Sequence, residues 1–416
     1  MRTRHRLVVL LSLLPLACGD DRGGDSGAFS ESETGLADAG EDDQGETDSG
    51  DGDPGDGDGE PGDGDGEPGD GDGEAGDGDG EAGDGDGEAG DGDGEAGDGD
   101  GDPDELCPLA LALVPCDGAD DDPLHALGLD CPGDPPQSIP LSAVTFTAND
   151  GNSWKVAKQF GSSGDWSPHE GEKVLIISTG TLTNPNNDGA VVLPAEDAQI
   201  GTDNGNPDNV NNLPNPIEPK DGSGGTPFED CDGQNDCSDT LEAQWELGEG
   251  RANDLLWFRF DLAVPEEANG YKFDFAFFSA EFPEWVDTQY NDIFLVWSTS
   301  ETYTGNVTFI NGQPLTVTAL EDSVLYEGND PQLAGTGVDG VGGGPMGQGM
   351  MEPVGGATGW FTATGSAAPG ETFTLAWALF DMGDSFYDTT VVLDAFRWSC
   401  EGCVPSEHDS CGIQPQ

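Results

Sequence analysis

A seven-residue unit, Gly-Asp-Gly-Asp-Gly-Glu-Pro/Ala, recurs seven times without a break between Gly55 and Pro103, with Asp102 in place of Glu in the last copy. Each copy carries three carboxylates and three glycines and no large apolar side chain. Such a stretch cannot bury enough surface to offset the entropy of ordering it. A neutral flexible coil of about 85 residues spans roughly 50 Å, and like-charge repulsion extends residues 18–104 beyond that. The alternating carboxylates invite a calcium reading, because Asp56, Asp58, Glu60 and Glu67 fall on ligand positions of an EF-hand loop. Pro61, however, stands where that loop needs its sharp glycine turn, and no helical sequence flanks it. The segment reads as a disordered acidic Gly-rich linker, a spacer, and it confines the foldable part of the chain to residues 105–416.

The start of the chain reads as an address. Arg2, Arg4 and Arg6 lead into an apolar run, Leu7–Leu16, too short to span a bilayer, which is the pattern of an export signal over residues 1–17. Cys18 follows Ala17. A small residue before such a cysteine resembles a bacterial lipoprotein processing site. That resemblance implies a lipid on Cys18, membrane attachment through it, and a place at the cell envelope, on the outer-membrane surface. Cysteine parity agrees: the chain has nine, and setting Cys18 aside leaves Cys107, Cys116, Cys131, Cys231, Cys237, Cys400, Cys403 and Cys411. An even set in an exported chain reads as disulfides, with on the order of a hundred connectivities open. Only the close pair Cys231–Cys237 is expected from spacing. Cys400-Glu-Gly-Cys403 has redox spacing but no βαβ pattern around it, so it reads as structural. Zinc is disfavoured because the four histidines, His5, His125, His169 and His408, are scattered.

The formal net charge is −73, with only eight of the 12 Lys and Arg lying after residue 104. That balance excludes nucleic acid as a partner and disfavours docking on anionic membranes. Divalent cations, neutral glycans and basic proteins remain compatible with it.

Beyond the linker, aromatic and β-branched residues appear, with turn residues every few positions. Strands are expected at Ala143–Ala148, Lys173–Ser178, Asp254–Val264, Tyr271–Ser279, Asp292–Thr299, Asn306–Ile310, Leu315–Leu320, Thr372–Phe380 and Thr390–Ser399. Period-two alternation puts Phe273, Phe275 and Phe277 on one face of their strand, and Phe373, Leu375, Trp377 and Leu379 on one face of theirs. The pattern predicts an all-β fold, an antiparallel β-sandwich of jelly-roll-like character. Its expected organisation is a Cys-containing N-terminal extension over 105–139, the sandwich over 140–403 and a tail over 404–416. Pro194–Ser238, rich in Asn, Pro, Gly and Asp, and Gly335–Gly356, rich in Gly and Met, are expected as surface excursions.

Two segments set acids beside aromatics: Ser279-Ala280-Glu281-Phe282-Pro283-Glu284-Trp285-Val286, running on to Tyr290-Asn291-Asp292-Ile293-Phe294, and Phe380-Asp381-Met382-Gly383-Asp384-Ser385-Phe386-Tyr387-Asp388-Thr389, closing with Val392–Trp398. Together with Thr358-Gly359-Trp360-Phe361, with Asp254–Asp261 after Cys237–Glu242, and with Gly128-Leu129-Asp130-Cys131, they resemble the choice-of-anchor L domain over roughly residues 125–400. The resemblance implies a bacterial surface module and carries no established catalytic activity.

The acids themselves admit several readings. Glu281, Asn291, Asp292, Asp381, Asp384 and Asp388 supply hard oxygen ligands on short loops, and would form a calcium site if the loops meet. The plainer reading has Asp and Ser satisfying turn backbones while aromatics cover a sheet edge. Trp285, Phe386 and Tyr387 beside carboxylates are also candidate ligand-contact aromatics, a common way to hold sugars. The expectation is therefore a lipid-anchored binding or adhesion module, without catalysis, for a glycan or protein ligand. The alternative is a surface-displayed, glycan-directed hydrolase using a carboxylate pair such as Glu281 and Glu284. Gly383-Asp384-Ser385 resembles an esterase nucleophile block but lacks the α/β context that block requires.

Overall fold

A computed structural model describes residues 107–148, 152–195, 198, 202, 204–219, 239–310, 313–320, 324–342, 352–403 and 413–416. All belong to the compact unit Asp93–Gln416. The export signal, Cys18, the linker, the Cys231–Cys237 pair and Cys411 lie outside the described residues.

Among the described residues the two main sheets have seven and eight strands, of which ten form their frame: β1 (Leu141–Thr147), β2 (Trp154–Ala157), β3 (Val174–Ser178), β4 (Ala252–Ala263), β5 (Gly270–Ser279), β6 (Ile293–Thr299), β7 (Gln313–Thr316), β8 (Phe361–Ser366), β9 (Thr372–Met382) and β10 (Thr389–Ser399). One sheet runs β1-β4-β9-β6-β7 and the other β8-β5-β10-β3-β2, every pair antiparallel. The fold is thus an all-β sandwich, as the alternation implied.

The two sheets meet through large rings. Phe273 of β5 approaches Trp377 of β9 at 4.5 Å between centroids, Tyr271 stacks on Phe373 at 5.5 Å, and Phe275 meets Phe294 of β6 at 5.6 Å. Phe277, Leu375, Leu379 and Leu393 complete this central core. The residues assigned to inward faces from alternation all lie in it.

Long strands here are buried on both faces, which alternation alone does not convey. The outer face of the first sheet, with Ala376, Ala378 and Phe380, lies under α1 (Asp239–Leu247) and under Leu213 and Ile217. The outer face of the second, with Ala276, Phe278 and Val392, lies under Phe160, Trp166, Leu333 and Val338. The two segments expected as surface excursions therefore supply covering layers: Leu213, Ile217 and Val338 are buried. A second correction falls at Leu315–Leu320, where the strand ends at Thr316 and Val317–Leu320 turns helical.

The N-terminal extension is part of the packed unit. Leu109, Leu124, Leu127 and Leu129 enter the central core. Disulfides join Cys107 to Cys400, just past β10, and Cys116 to Cys131. Cys403 is disulfide-bonded as well. Cys400 and Cys403 therefore serve separate bridges, in keeping with a structural rather than redox reading of their spacing.

Candidate functional site

Both acidic segments are crossovers at the same end of the sandwich. Residues 280–292 lead from β5 in one sheet to β6 in the other, and residues 383–388 lead from β9 back to β10. Because β5 pairs β10 (Ser279↔Thr389) and β6 pairs β9 (Ile293↔Phe380), the two loops must run side by side. The Ala280 amide donates to the Asp388 carbonyl at 3.2 Å. The Trp285 ring touches Tyr290 and Tyr387, at 5.2 and 5.9 Å between centroids. Gly383, at φ +92°, passes so close to the first loop that a Cβ there would meet the Gln289 carbonyl at 2.9 Å.

Where the loops leave the sheets, Glu281, Asp292 and Asp381 converge. A carboxylate oxygen from each lies within 4.8 Å of the others, and all three residues are buried. Their placement follows from the alternation of the core. Phe277 faces inward, and Ser279 and Glu281 take the next two alternate places. Asp292 precedes inward Phe294, and Asp381 follows inward Leu379. Each acid thus occupies the position at which an apolar core residue would come next.

Few donors reach them. The Asp292 amide donates to Glu281 Oε2 at 2.8 Å, and the Thr179 hydroxyl to Asp292 Oδ2 at 3.2 Å. Asp292 Oδ1 and Asp381 Oδ1 are buried without a hydrogen-bond partner. The ion pairs among the described residues involve Asp120, Asp121, Glu249 and Asp274, none of the three. Burial raises all three carboxyls well above the usual carboxylate range, and their mutual repulsion adds to it on Glu281 and Asp381.

The other residues expected at a metal site fall outside this group, although the charge of Asp384 adds to the rise of Glu281 and Asp381 and that of Asp388 to the rise of Asp292. Asn291 is fully buried but bonds Thr318, donating to its hydroxyl at 3.0 Å. Asp388 accepts from the Thr202 hydroxyl at 3.2 Å. Asp384 accepts from the Phe386 amide at 3.0 Å, closing the turn. Trp285 and Tyr387 are half-buried, whereas Phe386 is exposed. Glu281 is buried while Glu284 is exposed, so this carboxylate pair does not face one cleft. Gly383-Asp384-Ser385 sits between two strands rather than at a helix entry.

Beside the trio opens a polar cleft of about 230 Å³, walled by Asp208, Asn209, Glu249, Arg251, Asn253 and Asp384, with Ser385 at its edge. The Asn253 side chain donates to the Asp384 carbonyl at 2.7 Å and accepts from the Asn209 amide at 3.0 Å, tying three segments into one wall. Backbone strain gathers here: Asn209, Glu249, Asp254 and Tyr387 all have positive φ. Left-handed non-glycine residues cost energy and concentrate at functional sites. The 208–209 and 249–253 walls were missed in the sequence, where the only signal was the Asn/Pro/Asp-rich run before residue 212. A larger cavity of about 460 Å³ lies at the opposite end, among Pro108, Pro135, Pro136, Pro140 and Trp398. It is apolar and holds only Glu267 as a titratable group.

The molecule is a decorated antiparallel β-sandwich whose two acid-and-aromatic segments form neighbouring crossovers at one end. The chain belongs to the choice-of-anchor L domain family, whose model matches residues 144–397. No curated protein and no solved structure matches it. Among the described residues, no helix is long and apolar enough to cross a membrane.

Proposed function

We propose that this surface protein is a lipid-anchored binding module that holds an extracellular ligand in the cleft at the acidic end of its sandwich, and that it has no catalytic role. The observation that carries the reading is the cleft itself, a polar concavity walled by three segments, with Asn209 and Glu249 of its lining held in left-handed backbone. Its lining selects among ligands. Three carboxylates face one guanidinium, and Arg251 is already paired with Glu249. An anionic ligand would meet net repulsion there, whereas hydroxyl groups suit both the carboxylates and the amides. A neutral glycan fits this chemistry best, and a hydroxyl- or amine-bearing face of a protein is the second ligand class. Family membership supports display at the surface, and the Arg-rich start, apolar run and Cys18 support a lipid as the anchor.

Binding of the mature chain to an array of neutral polysaccharides is the direct test. Arg251→Ala, which removes a half-exposed side chain, should weaken that binding about tenfold, the loss of one charge-assisted hydrogen bond, with unchanged circular dichroism. Absence of binding to every neutral glycan, or binding indifferent to this substitution, would show that the cleft holds no such ligand.

A further inference from the structure

Three buried carboxyls at one point must either take up protons or enclose a cation. We propose that Glu281, Asp292 and Asp381 are the ligands of a buried calcium ion that clamps the ends of β5, β6 and β9 together. Four observations carry this. The three carboxylates converge within 4.8 Å, two from the ends of one crossover and the third from a strand end about ninety residues further on. Asp292 Oδ1 and Asp381 Oδ1, on two members of the cluster that are 0% and 2% exposed, are reached by no hydrogen-bond donor, although buried polar atoms are nearly always satisfied. None of the three takes part in the ion pairs formed among the described residues. The cluster also occupies inward core positions, where an ordinary sandwich would place an apolar residue.

The donor set decides the ion. It is all oxygen, which suits hard cations and not zinc or copper, whose sites draw on nitrogen and sulfur. Calcium accepts six to eight oxygens in irregular arrangements and takes carboxylates bidentately. Magnesium demands a small octahedron and keeps several waters, which so buried a cluster does not readily admit. Three carboxylates on strand ends of both sheets therefore fit calcium. The competing account is a set of carboxyls that share protons and bind no metal. The clamp is independent of whether the neighbouring cleft holds a glycan.

The two accounts part in one experiment on the mature chain. Melting is followed at neutral pH in excess calcium, in excess magnesium and in chelator. Calcium should raise the melting temperature by about 5 °C or more, as a ligand specific to the native state must, and magnesium by much less. Asp292→Asn and Asp381→Asn keep the shape and remove the charge. By calorimetry each should lose at least about tenfold in calcium affinity. The sign of their effect on melting should reverse with conditions: below wild type in calcium, at or above it in chelator, where a buried repulsion has been relieved. Loose binding to the linker carboxylates survives in both variants and does not move the melting point. A wild-type melting temperature that is the same in calcium and in chelator overturns the proposal, as does an undiminished calcium response in both Asn variants. Should the variants fail to fold, the wild-type comparison alone decides.

Discussion

Gly180 is small because Asp388 needs its space. A Cβ at this position would lie 1.9 Å from Asp388 Oδ2 and 2.1 Å from its Cγ, and Asp388 is itself held through its backbone amide to Ala198. Gly180→Ala should therefore cost about 1–3 kcal/mol, the usual range for overpacking, read as a lower urea midpoint with unchanged slope. A second residue ties stability to pH. Burial pushes the Asp394 carboxyl up to about 7, with the charge of Asp274 adding, although the amides of His169, Glu170 and Ala395 all donate to it. The unfolded chain releases this proton near its ordinary value of about 4, while the folded chain keeps it. The native state then binds more protons at this group than the unfolded state across that window, so the contribution of Asp394 to stability is fully present below about 4 and declines as pH climbs towards about 7. Asp394→Asn should make the melting temperature depend less steeply on pH in that interval. An unchanged slope would show that the group does not titrate there.

Among the elements, α1 shows how the outer faces are closed. Trp245 is almost fully buried and meets Phe380 edge-on at 6.0 Å. Trp245→Ala should cost about 3–5 kcal/mol, the range for deleting a large buried aromatic, and should leave secondary-structure content nearly intact. This helix was not legible in the sequence. Leu241 and Trp245 are its only large apolar residues that reach inward, one turn apart in a nine-residue segment whose periodicity is weak. The strands were legible because their inward residues are large and regular, as Phe373, Leu375, Trp377 and Leu379 are. Leu315–Leu320 misled because its β-branched residues suit a strand, whereas Asn291 bonds Thr318 and the chain turns helical at that point. The individual acids of the site stood out, since carboxylates next to aromatics do not look like a solvated face. Which three converge depended on pairings across two sheets, which spacing does not encode. A sharper signal was available: Glu281, Asp292 and Asp381 continue the inward alternation of Phe277, Phe294 and Leu379, so each is an acid in a core position.

At the scale of the whole molecule, two cysteines govern how the chain is held. If Cys18 carries the proposed lipid, Cys18→Ser should move the protein from the membrane fraction to the soluble fraction without altering its melting temperature, since such an anchor acts on location and not on packing. Retention in the membrane fraction would assign the anchor elsewhere. Cys107→Ser should act in the opposite way, lowering stability by about 2–5 kcal/mol with no change of fraction, as it opens a bridge across 293 residues of sequence. That bridge also has a mechanical meaning. A pull arriving along the linker reaches Cys107 first and passes through its sulfur into Cys400, at the end of β10, one of the central strands of its sheet. The bridge thus offers the pull a direct covalent route from Cys107 to the end of β10, in parallel with the chain that leads from residue 108 to β1. If the chain is anchored through its N-terminus as proposed, part of the load enters the sheet at the end of β10, the strand that pairs with both β5 and β3.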